Sequence, residues 1–401
     1  PGTATGRPAR GGGPARGGKT VITRGLAAPD KRAYVLVTIT VPHENPWGCW
    51  MRLSAIDFLR DGTVVVATLS GDVWLVRWDD DDISQLHWRR FATGLYEPLG
   101  LKVVDDRIYV RGRDRITRLH DLNDDGEADF YENFHSEGEI GTSYHAFLFD
   151  LVTDQAGNFY FARSGRKAPP PGDVVRVSPD GTERQTIATH LRHPNGMGGA
   201  GLHDWILIAD NPGGKYPSGA MLVRQGASYG HNGPRTAPYL YVLPPEIDTS
   251  SGSQCWTDPK RFGPLSNTLM HTSYSKSTAC YVMVQTFDET RDPNGFAVKM
   301  PFHFRSGVMR CRVNPRDGQV YFVGQRGWDT NAATDGCLQR VRFTGQPAYV
   351  VESAEAVDNA VILRFSSKLD ASTVEADSFA AAYVSDKQRR DVEITQATLI
   401  D

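Results

Sequence analysis

An acid-rich segment of 12 residues, Asp121–Glu132, has the residue types and spacing of a calcium-binding loop. It reads DLNDDGEADFYE and matches the template D-x-[DN]-x-[DN]-G-x5-E at every specified position. Gly126 permits the sharp turn that wraps such a loop around an ion. The expected ligands are Asp121, Asn123, Asp125, Glu127, Asp129 and Glu132. Hard oxygen ligands favour Ca²⁺ over Mg²⁺, and the strand-like segment before the loop indicates a structural ion between two strands.

The elements that must position this loop are short hairpins, which recur along the chain from about residue 50. In each, a strand runs into a polar turn built on Asp and Gly, and a second strand leaves it. The segments that show this most clearly are IDFLRDGTVVVAT (56–68), DLVTDQAGNFYFAR (150–163), VRVSPDGTERQTI (175–187) and MRCRVNPRDGQVYFVG (309–324). Units of this kind, spaced roughly 40–55 residues apart, have the length of propeller blades. The sequence therefore predicts an all-β fold, a six-bladed β-propeller over residues 35–346.

The two ends of the chain differ in composition and residue pattern from the hairpin region. Residues 1–19 are rich in Gly, Pro and Arg with nothing to bury, and we expect a flexible leader or linker there. Residues 347–401 begin with an alternating strand and a polar turn, AVILRFSSKLDASTV. This pattern favours a partial immunoglobulin-like β-sandwich segment after the propeller.

Composition limits the classes of partner. Lys plus Arg number 44 against 47 Asp plus Glu, for a net charge of -3, which argues against nucleic acid as a partner. No apolar stretch approaches the ~18 residues of a membrane span, so we expect no integral membrane segment. The spacing of the five cysteines excludes zinc-ribbon and haem-attachment motifs, and leaves disulfides and buried thiols equally open. They are Cys49, Cys255, Cys280, Cys311 and Cys337.

From Trp47 to Gly345 the chain resembles a family of bacterial propellers described as membrane-bound dehydrogenase or sorbosone dehydrogenase-like. The segments that carry the resemblance are FATGLYEPLGL (91–101), RITRLHDLNDDGEADFYE (115–132), YHAFLFDLVTDQAGNFY (144–160), LRHPNGM (191–197), ADNPGGKYPSGAMLVRQGASYGH (209–231), FGPLSNTLM (262–270) and GQRGWDTNAATDGCLQRVRFTG (324–345). These proteins are often fused to c-type cytochrome domains and are distantly similar to soluble PQQ-dependent glucose dehydrogenase. The resemblance implies a periplasmic or extracellular protein.

In that glucose dehydrogenase, a histidine at the propeller mouth takes a proton from the sugar hydroxyl as hydride moves to the quinone. His145 occupies the corresponding place, ahead of Asp154–Gly157. An imidazole titrates near neutrality and therefore suits a general base. The resemblance also implies that Arg192, in the segment RHPNG with Asn195, grips a carboxylate of the quinone.

Further cofactor contacts follow from the resemblance alone. Lys276 lies nine residues beyond Asn267, one more than in the relative. The relative's paired arginines near the last blade correspond either to Arg310 and Arg312 or to Arg305. Its active-site calcium, held by backbone carbonyls, corresponds to the segment of Asn211, Pro212 and Gly213.

The histidines support a second interpretation. His145, His193, His231 and His271 all lie in segments expected at the propeller mouth. If they converge, they would bind Zn²⁺, Mn²⁺ or Fe with an open position for water. The chain would then be a transition-metal-dependent carbohydrate hydrolase or lyase.

A third interpretation is a non-catalytic propeller that binds a glycan or a protein. Trp47, Trp50, Trp256 and Trp328 fall near predicted loop ends, where aromatic rings either stack on sugars or pack between blades. Packing is the commoner role, and Trp328 is the best exception. The sequence favours the first interpretation: PQQ-dependent oxidation of a sugar or related alcohol, with electrons passed to a c-type cytochrome.

Overall fold

The chain is built from short β-strands, and among the described residues the one helical element is a 3₁₀ turn, Gly263–Leu265. The structure is a computed structural model. It describes residues 18–79, 82–137, 143–166, 172–199, 201, 203–211, 213, 217–285, 292–327, 329–357, 360–370, 372, 374–375, 381–384, 389–392 and 394–398. The expected leader, apart from its last two residues, lies outside these ranges, as do Pro212 and Trp328.

The described residues form thirty strands, which are numbered in chain order. The first fifteen are β1 (Thr20–Thr23), β2 (Tyr34–Thr38), β3 (Leu53–Phe58), β4 (Val64–Thr68), β5 (Val73–Arg77), β6 (Leu86–Ala92), β7 (Gly100–Val104), β8 (Arg107–Arg111), β9 (Arg115–His120), β10 (Phe130–Ser136), β11 (Leu148–Thr153), β12 (Phe159–Arg163), β13 (Gly172–Val177), β14 (Arg184–Leu191) and β15 (Gly196–Gly198). The others are β16 (Leu207–Ala209), β17 (Ser218–Leu222), β18 (Ala227–Ser228), β19 (Tyr241–Leu243), β20 (Ser251–Trp256), β21 (Leu269–Ser273), β22 (Thr278–Gln285), β23 (Asn294–Lys299), β24 (Gly307–Val313), β25 (Val320–Gln325), β26 (Gly336–Phe343), β27 (Val351–Val357), β28 (Ala360–Phe365), β29 (Ala381–Val384) and β30 (Arg389–Val392).

Six sheets form a ring. Their strand orders are β1-β6-β5-β4-β3, β10-β9-β8-β7, β11-β12-β13-β14-β18, β15-β16-β17-β19, β20-β21-β22-β23 and β2-β26-β25-β24. The inner strands β3, β7, β11, β15, β20 and β24 each contact the inner strand of the next sheet, and β24 contacts β3. The fold is a six-bladed β-propeller, which confirms the prediction from the hairpin repeats. Blades are numbered 1 to 6 by their inner strands.

The sixth blade is assembled from both ends of the propeller. Strand β2 pairs antiparallel with β26, from Tyr34 opposite Phe343 to Thr38 opposite Gln339. The buried Tyr34 hydroxyl also donates a hydrogen bond of 2.8 Å to the carbonyl of Phe262 in blade 5. An amino-terminal strand thus closes the ring.

Packing between neighbouring blades supplies the core. The Trp74 and Trp88 side chains are fully buried in the cluster that joins blades 1 and 6. Truncation of such a buried ring typically costs about 3–5 kcal/mol. At the centre the inner strands approach so closely that a Cβ on Gly100 would lie 2.3 Å from the carbonyl oxygen of Asp150. Glycine is therefore required where β7 meets β11.

Beyond the ring, β27 pairs with β28 and β29 with β30. The first of these hairpins contacts blade 5, because the Val351 N–H donates to the Tyr281 hydroxyl at 3.0 Å. The immunoglobulin-like segment stays a prediction. No described helix is long and apolar enough to cross a membrane.

Candidate functional site

Two sets of loops lie at one end of the ring, which we call the mouth. One set precedes the inner strands, and the other joins the second strand of each blade to the third. Because neighbouring strands of a blade are antiparallel, these two sets share one end and the remaining turns occupy the other. His145 precedes β11, and Arg192 and His193 precede β15, so all three lie in mouth loops.

The centre of the ring is filled by three residues, Asp150, Arg310 and Arg312, here called the central cluster. The Asp150 carboxylate lies 2.6 Å from Nη2 of Arg312 and 3.3 Å from Nε of Arg310. Asp150 has φ 58 and sits at an irregularity in the pairing of β11 with β12. Asp accepts this left-handed conformation more readily than most residues. The conformation turns a carboxylate toward blade 6 on the far side of the ring.

Arg310 extends the central cluster to two more blades. Its Nη1 donates to the carbonyl of Asn195 at 2.6 Å, and its Nη2 donates to the carbonyl of Leu99 at 2.8 Å. Burial lowers the pKa of Arg310 to about 10, against the effect of Asp150. Burial alone would raise the pKa of Asp150, but the two guanidinium groups outweigh it and hold that pKa below its usual value. The structure thus places Arg310 in the ring centre, with both Nη atoms donating to backbone carbonyls and Nε 3.3 Å from the Asp150 carboxylate.

An apolar floor formed by Leu99, Phe149 and Met309 separates the central cluster from the mouth. All three side chains are almost fully buried. Phe147 and Tyr274 pack against the floor from the mouth side. Phe149 and Met309 directly precede Asp150 and Arg310 in sequence, so the floor is the next layer toward the mouth.

Two of the predicted histidines meet above this floor. The ring centroids of His145 and His193 are 6.0 Å apart, with the rings perpendicular. His193 also contacts Phe149, at 4.9 Å between centroids, and its Nδ1 lies 3.1 Å from Oγ of Ser164. Burial, followed by the proximity of His145 and Arg192, lowers the pKa of His193 to about 3. His193 is therefore neutral at physiological pH, next to the predicted base.

One buried carboxylate fixes the loop that carries Arg192 and His193. Asp210 accepts the backbone N–H of His193 at 2.6 Å and that of Arg192 at 2.9 Å. The half-buried Arg192 side chain donates through Nη1 to the carbonyl of Asn211 at 3.0 Å. Burial, and then the nearby Arg166, lower the pKa of Arg192. Sequence reasoning missed Asp210, although its position directly after a buried strand, LIAD, is a usable signal.

A second arginine, Arg113, holds the loop that carries His145. Its Nε donates to the Ala146 carbonyl at 3.1 Å, and Nη2 donates to the Ser143 carbonyl at 2.9 Å. Nη1 pairs with Glu97 at 2.9 Å. Sequence reasoning did not single out Arg113, which falls in a run of alternating arginines, RGRDR.

The remaining cofactor residues predicted from the resemblance are spread around the mouth. Lys276 is half-buried in the turn between β21 and β22, and Arg305 is exposed just before β24. Asn195 is buried, and its Nδ2 donates to the Ser251 carbonyl at 3.2 Å. Asn211 contacts Arg192, as described above. Their roles toward a cofactor stay predictions.

The four histidines do not converge as the metal interpretation requires. His271 is fully buried within blade 5, where its Nδ1 bonds the Tyr241 hydroxyl at 2.8 Å. The backbone N–H of His231 donates to the carbonyl of His190 at 2.8 Å. Within the part of the chain that the structure describes, no three His, Cys, Asp or Glu residues are grouped to hold a metal ion.

The acid-rich loop joins β9 to β10, the two outer strands of blade 2. It therefore lies at the end of the ring opposite the mouth. Asp121 accepts the Gly126 N–H at 2.7 Å, and Asp129 accepts the Leu122 N–H at 2.9 Å. These bonds fold the first nine positions around their own oxygens. Glu132, the expected closing ligand, instead lies in β10 and pairs with His120 at 2.7 Å.

This loop also links blades 1 and 2. The Ala128 N–H donates to the carbonyl of Phe91 in β6 at 2.7 Å. The Tyr131 hydroxyl accepts the Thr93 N–H at 3.0 Å, and the Arg89 guanidinium contacts the carbonyl of Asp125. The loop therefore has the position expected of a structural link between strands, and calcium stays a prediction.

The structure separates the tryptophans by environment. Trp47 packs edge-on against Trp74 with centroids 5.5 Å apart, and Trp256 packs with Trp205 at 6.5 Å. Trp50 is 54% exposed at the mouth.

The sequence matches no protein-family model and no curated protein. Solved structures are similar at low identity. A putative oxidoreductase (glucose dehydrogenase) from Thermus thermophilus is 16% identical with a TM-score of 0.56, over 73% of this chain and 96% of its own. The soluble aldose sugar dehydrogenase of Escherichia coli is 13% identical with a TM-score of 0.54, over 73% and 96%.

A third similar structure is a gluconolactonase from Xanthomonas campestris. It is 18% identical with a TM-score of 0.50, over 83% of this chain and 99% of its own. At such identities a likeness is evidence of fold and not of reaction. The chain thus has the propeller fold shared by glucose dehydrogenases, aldose sugar dehydrogenases and gluconolactonases.

Proposed function

We propose that this propeller oxidises a hydroxyl group of a sugar or related alcohol, with His145 as general base and PQQ as cofactor. The carrying observation is the pairing of His145 with a neutral His193 over an apolar floor, at the mouth of a ring whose centre is closed. An apolar surface with a few convergent polar groups is typical of small-molecule sites. The similar sugar dehydrogenase structures support the proposal.

The mouth residues fit a planar polyanion such as PQQ. Arg192 is half-buried beside the histidine pair, and Arg166 lies close enough to lower its pKa. Lys276 and Arg305 supply cationic side chains from blades 5 and 6. A guanidinium can bind a carboxylate through two parallel hydrogen bonds. PQQ, when bound, supplies the acceptor for the two electrons of the alcohol.

His145 has the central role in this scheme. It accepts the hydroxyl proton as the hydride leaves the carbon that bears this hydroxyl group, so that the alcohol becomes a carbonyl compound. A neutral His193 adds no full positive charge against the imidazolium that forms on His145. Phe147 and Phe149 exclude water from one side of the pair, which strengthens the interactions within it.

We further infer that Ca²⁺ binds the loop Asp121–Glu132 and reinforces the link between blades 1 and 2. The carboxylates of Asp121, Asp125 and Asp129 already face their own loop amides. Binding at the twelfth position requires Glu132 to leave His120. The proposal includes a periplasmic or extracellular location and a c-type cytochrome as electron acceptor.

The test is reconstitution. Purified protein is mixed with PQQ and CaCl₂, and reduction of an artificial dye is followed with a panel of aldoses and sugar alcohols. Sugar-dependent dye reduction that requires PQQ supports the proposal. The absence of quinone absorbance on the protein together with no dye reduction would overturn it.

The same preparation separates the alternatives. A transition metal near one per chain, with hydrolysis or elimination of a carbohydrate, would favour the metal-dependent hydrolase or lyase. Glycan or protein binding that survives His145→Ala, without turnover, would favour a binding propeller.

A further inference from the structure

Three exposed aromatic residues occupy equivalent places in consecutive blades. Trp50, Tyr96 and Tyr144 each lie three or four residues before an inner strand, β3, β7 and β11 respectively. Their exposed fractions are 54%, 48% and 68%. Large rings at such exposure in equivalent mouth loops form a surface feature, which we call the rim aromatics.

Neighbouring side chains hold these rings in place. The Trp50 ring has the Arg52 guanidinium 4.6 Å from its centroid, and its Nε1 donates to Asp335 at 3.2 Å. The Tyr144 ring lies 3.9 Å from the His145 ring between centroids. A ring that is ordered before a ligand arrives loses little conformational freedom on binding, so its contact adds more to affinity.

Hydrogen bonds to backbone carbonyls connect the three positions in an arc that leads to the proposed base. The Ser70 hydroxyl donates to the Trp50 carbonyl at 3.3 Å, and Leu95 N–H donates to the carbonyl of Gly71 at 3.1 Å. Arg113 then joins Tyr96 to Tyr144, since its backbone N–H binds the Tyr96 carbonyl and its Nη2 binds the Tyr144 carbonyl. The arc ends at His145, which follows Tyr144 directly.

We propose that the rim aromatics bind successive sugar units of a carbohydrate chain whose terminal unit lies at His145. The C–H faces of sugar rings stack on aromatic faces, and the rim aromatics lie among polar groups such as Arg52, Asp335, Arg113 and Glu97. A lipid surface or a protein partner would require a contiguous apolar patch instead. This inference rests on the proposed function for one point, the terminal unit at His145.

The test measures binding, independently of turnover. Gluco-, xylo- and manno-oligosaccharides of one to six units are titrated into the full chain by calorimetry. Affinity for at least one series should rise with length up to three or four units. Trp50→Ala and Tyr96→Ala should each reduce the ratio of tetramer to monomer affinity about three- to tenfold. Trp50→Phe should restore much of it, because a ring is kept.

Tyr349→Ala is the matched control, since Tyr349 is 61% exposed but lies beyond the propeller strands. It should leave the length dependence unchanged. Equal affinity for all lengths, no binding in any series, or a length dependence that survives both rim substitutions would each overturn the inference. Length-dependent binding without sugar oxidation would refute the proposed function but not the binding role of the rim aromatics. Sugar oxidation without length-dependent binding would refute the binding role of the rim aromatics but not the proposed function.

Discussion

His145 and His193 lie with their rings perpendicular and their centroids 6.0 Å apart, although they are 48 positions apart in sequence. Their environments differ. His193 is half-buried and packs against Phe149 and Ser164, and desolvation lowers its pKa to about 3. His145 lies under the exposed ring of Tyr144 at the opening. The pair therefore joins a neutral histidine, His193, to the histidine that we propose as the general base.

The first prediction concerns His145. Replacement by Ala should lower sugar-dependent dye reduction by about 10²- to 10⁴-fold, the usual contribution of a general base. The midpoint of urea unfolding should change little, so the loss is measured at equal folded protein. His87→Ala is the control, because His87 is exposed on β6. Equal activity of the His145→Ala and wild-type proteins would remove His145 from the mechanism.

The second prediction is a pH dependence of stability that comes from His193. The pKa of His193 is about 3 in the folded protein, below its ordinary value of 6.5, so the unfolded chain binds the proton more tightly. The contribution of His193 to the free energy of unfolding should be fully present above pH 6.5. It should fall as pH decreases from there, by at most ~1.4 kcal/mol per pH unit. His193→Asn should flatten the wild-type slope between pH 6.5 and 5 in urea unfolding. An unchanged slope contradicts the burial of this ring.

Glu137 changes the free energy of unfolding only at lower pH, so it does not interfere with the slope measured between pH 6.5 and 5. Burial alone would raise its pKa, but a hydrogen bond from His135 and the charges of Arg111, Arg184 and Arg163 lower it to about 2. The stability from this depressed carboxyl is present above its ordinary pKa of 4.5 and is lost as pH falls from there toward 2.

The third prediction concerns Asp210. Asp210→Ala leaves the buried N–H groups of Arg192 and His193 without their acceptor, which should cost about 2–3 kcal/mol of unfolding free energy. Asp79→Ala, at an exposed carboxylate, should cost less than about 0.5 kcal/mol. Urea denaturation of both variants makes the comparison. If the two costs are equal, Asp210 does not hold the Arg192–His193 loop.

The fourth prediction concerns the central cluster. Asp150→Asn keeps the side-chain shape and tolerates the positive φ, but it leaves two buried guanidinium groups without their counter-charge. The expected cost is about 3–5 kcal/mol. Asp105→Asn is the control, because Asp105 also has positive φ and forms an exposed ion pair with Arg60, worth less than about 1 kcal/mol. A small cost for Asp150→Asn would mean that the ring does not depend on this ion pair.

The fifth prediction concerns the loop Asp121–Glu132. Ca²⁺ at 100 times its dissociation constant should stabilise the protein by about 2.7 kcal/mol, and EGTA should reverse this. Asp121→Ala should abolish the response. Asp180→Ala, in an exposed turn of blade 3, should keep it. A response to Ca²⁺ that is the same in the Asp121→Ala protein would locate the ion elsewhere.

Local sequence was sufficient for the repeating part of the fold. Asp and Gly at hairpin turns, as in residues 150–163, predicted the blades, because turn conformation depends on the residues in the turn itself. The pairing of Tyr34 with Phe343 was not predictable in the same way. Two strands 309 positions apart meet only because the ring closes, and neither carries a local sign of its partner.

The position of a candidate residue was predictable where it depends only on the place of that residue in its own blade. His145 and Arg192 were expected at the mouth from the resemblance to glucose dehydrogenase, and both lie in loops that precede inner strands. Arg310 and His271 were harder, because each depends on what lies across the ring or beside it. Arg310 meets Asp150 from the opposite blade, and His271 meets Tyr241 from the neighbouring one. The exposure of Trp50, three residues from the packed Trp47, likewise depends on the tertiary structure.

The central cluster has a consequence for kinetics. With Asp150, Arg310 and Arg312 across the axis, we expect molecules to reach and leave the proposed site above the floor from the mouth side. The sugar, its oxidised product and the electron acceptor must then occupy the site one after another. For the proposed oxidation, we expect the acceptor to reach the site after product departs, giving parallel lines in double-reciprocal plots and competition between product and acceptor.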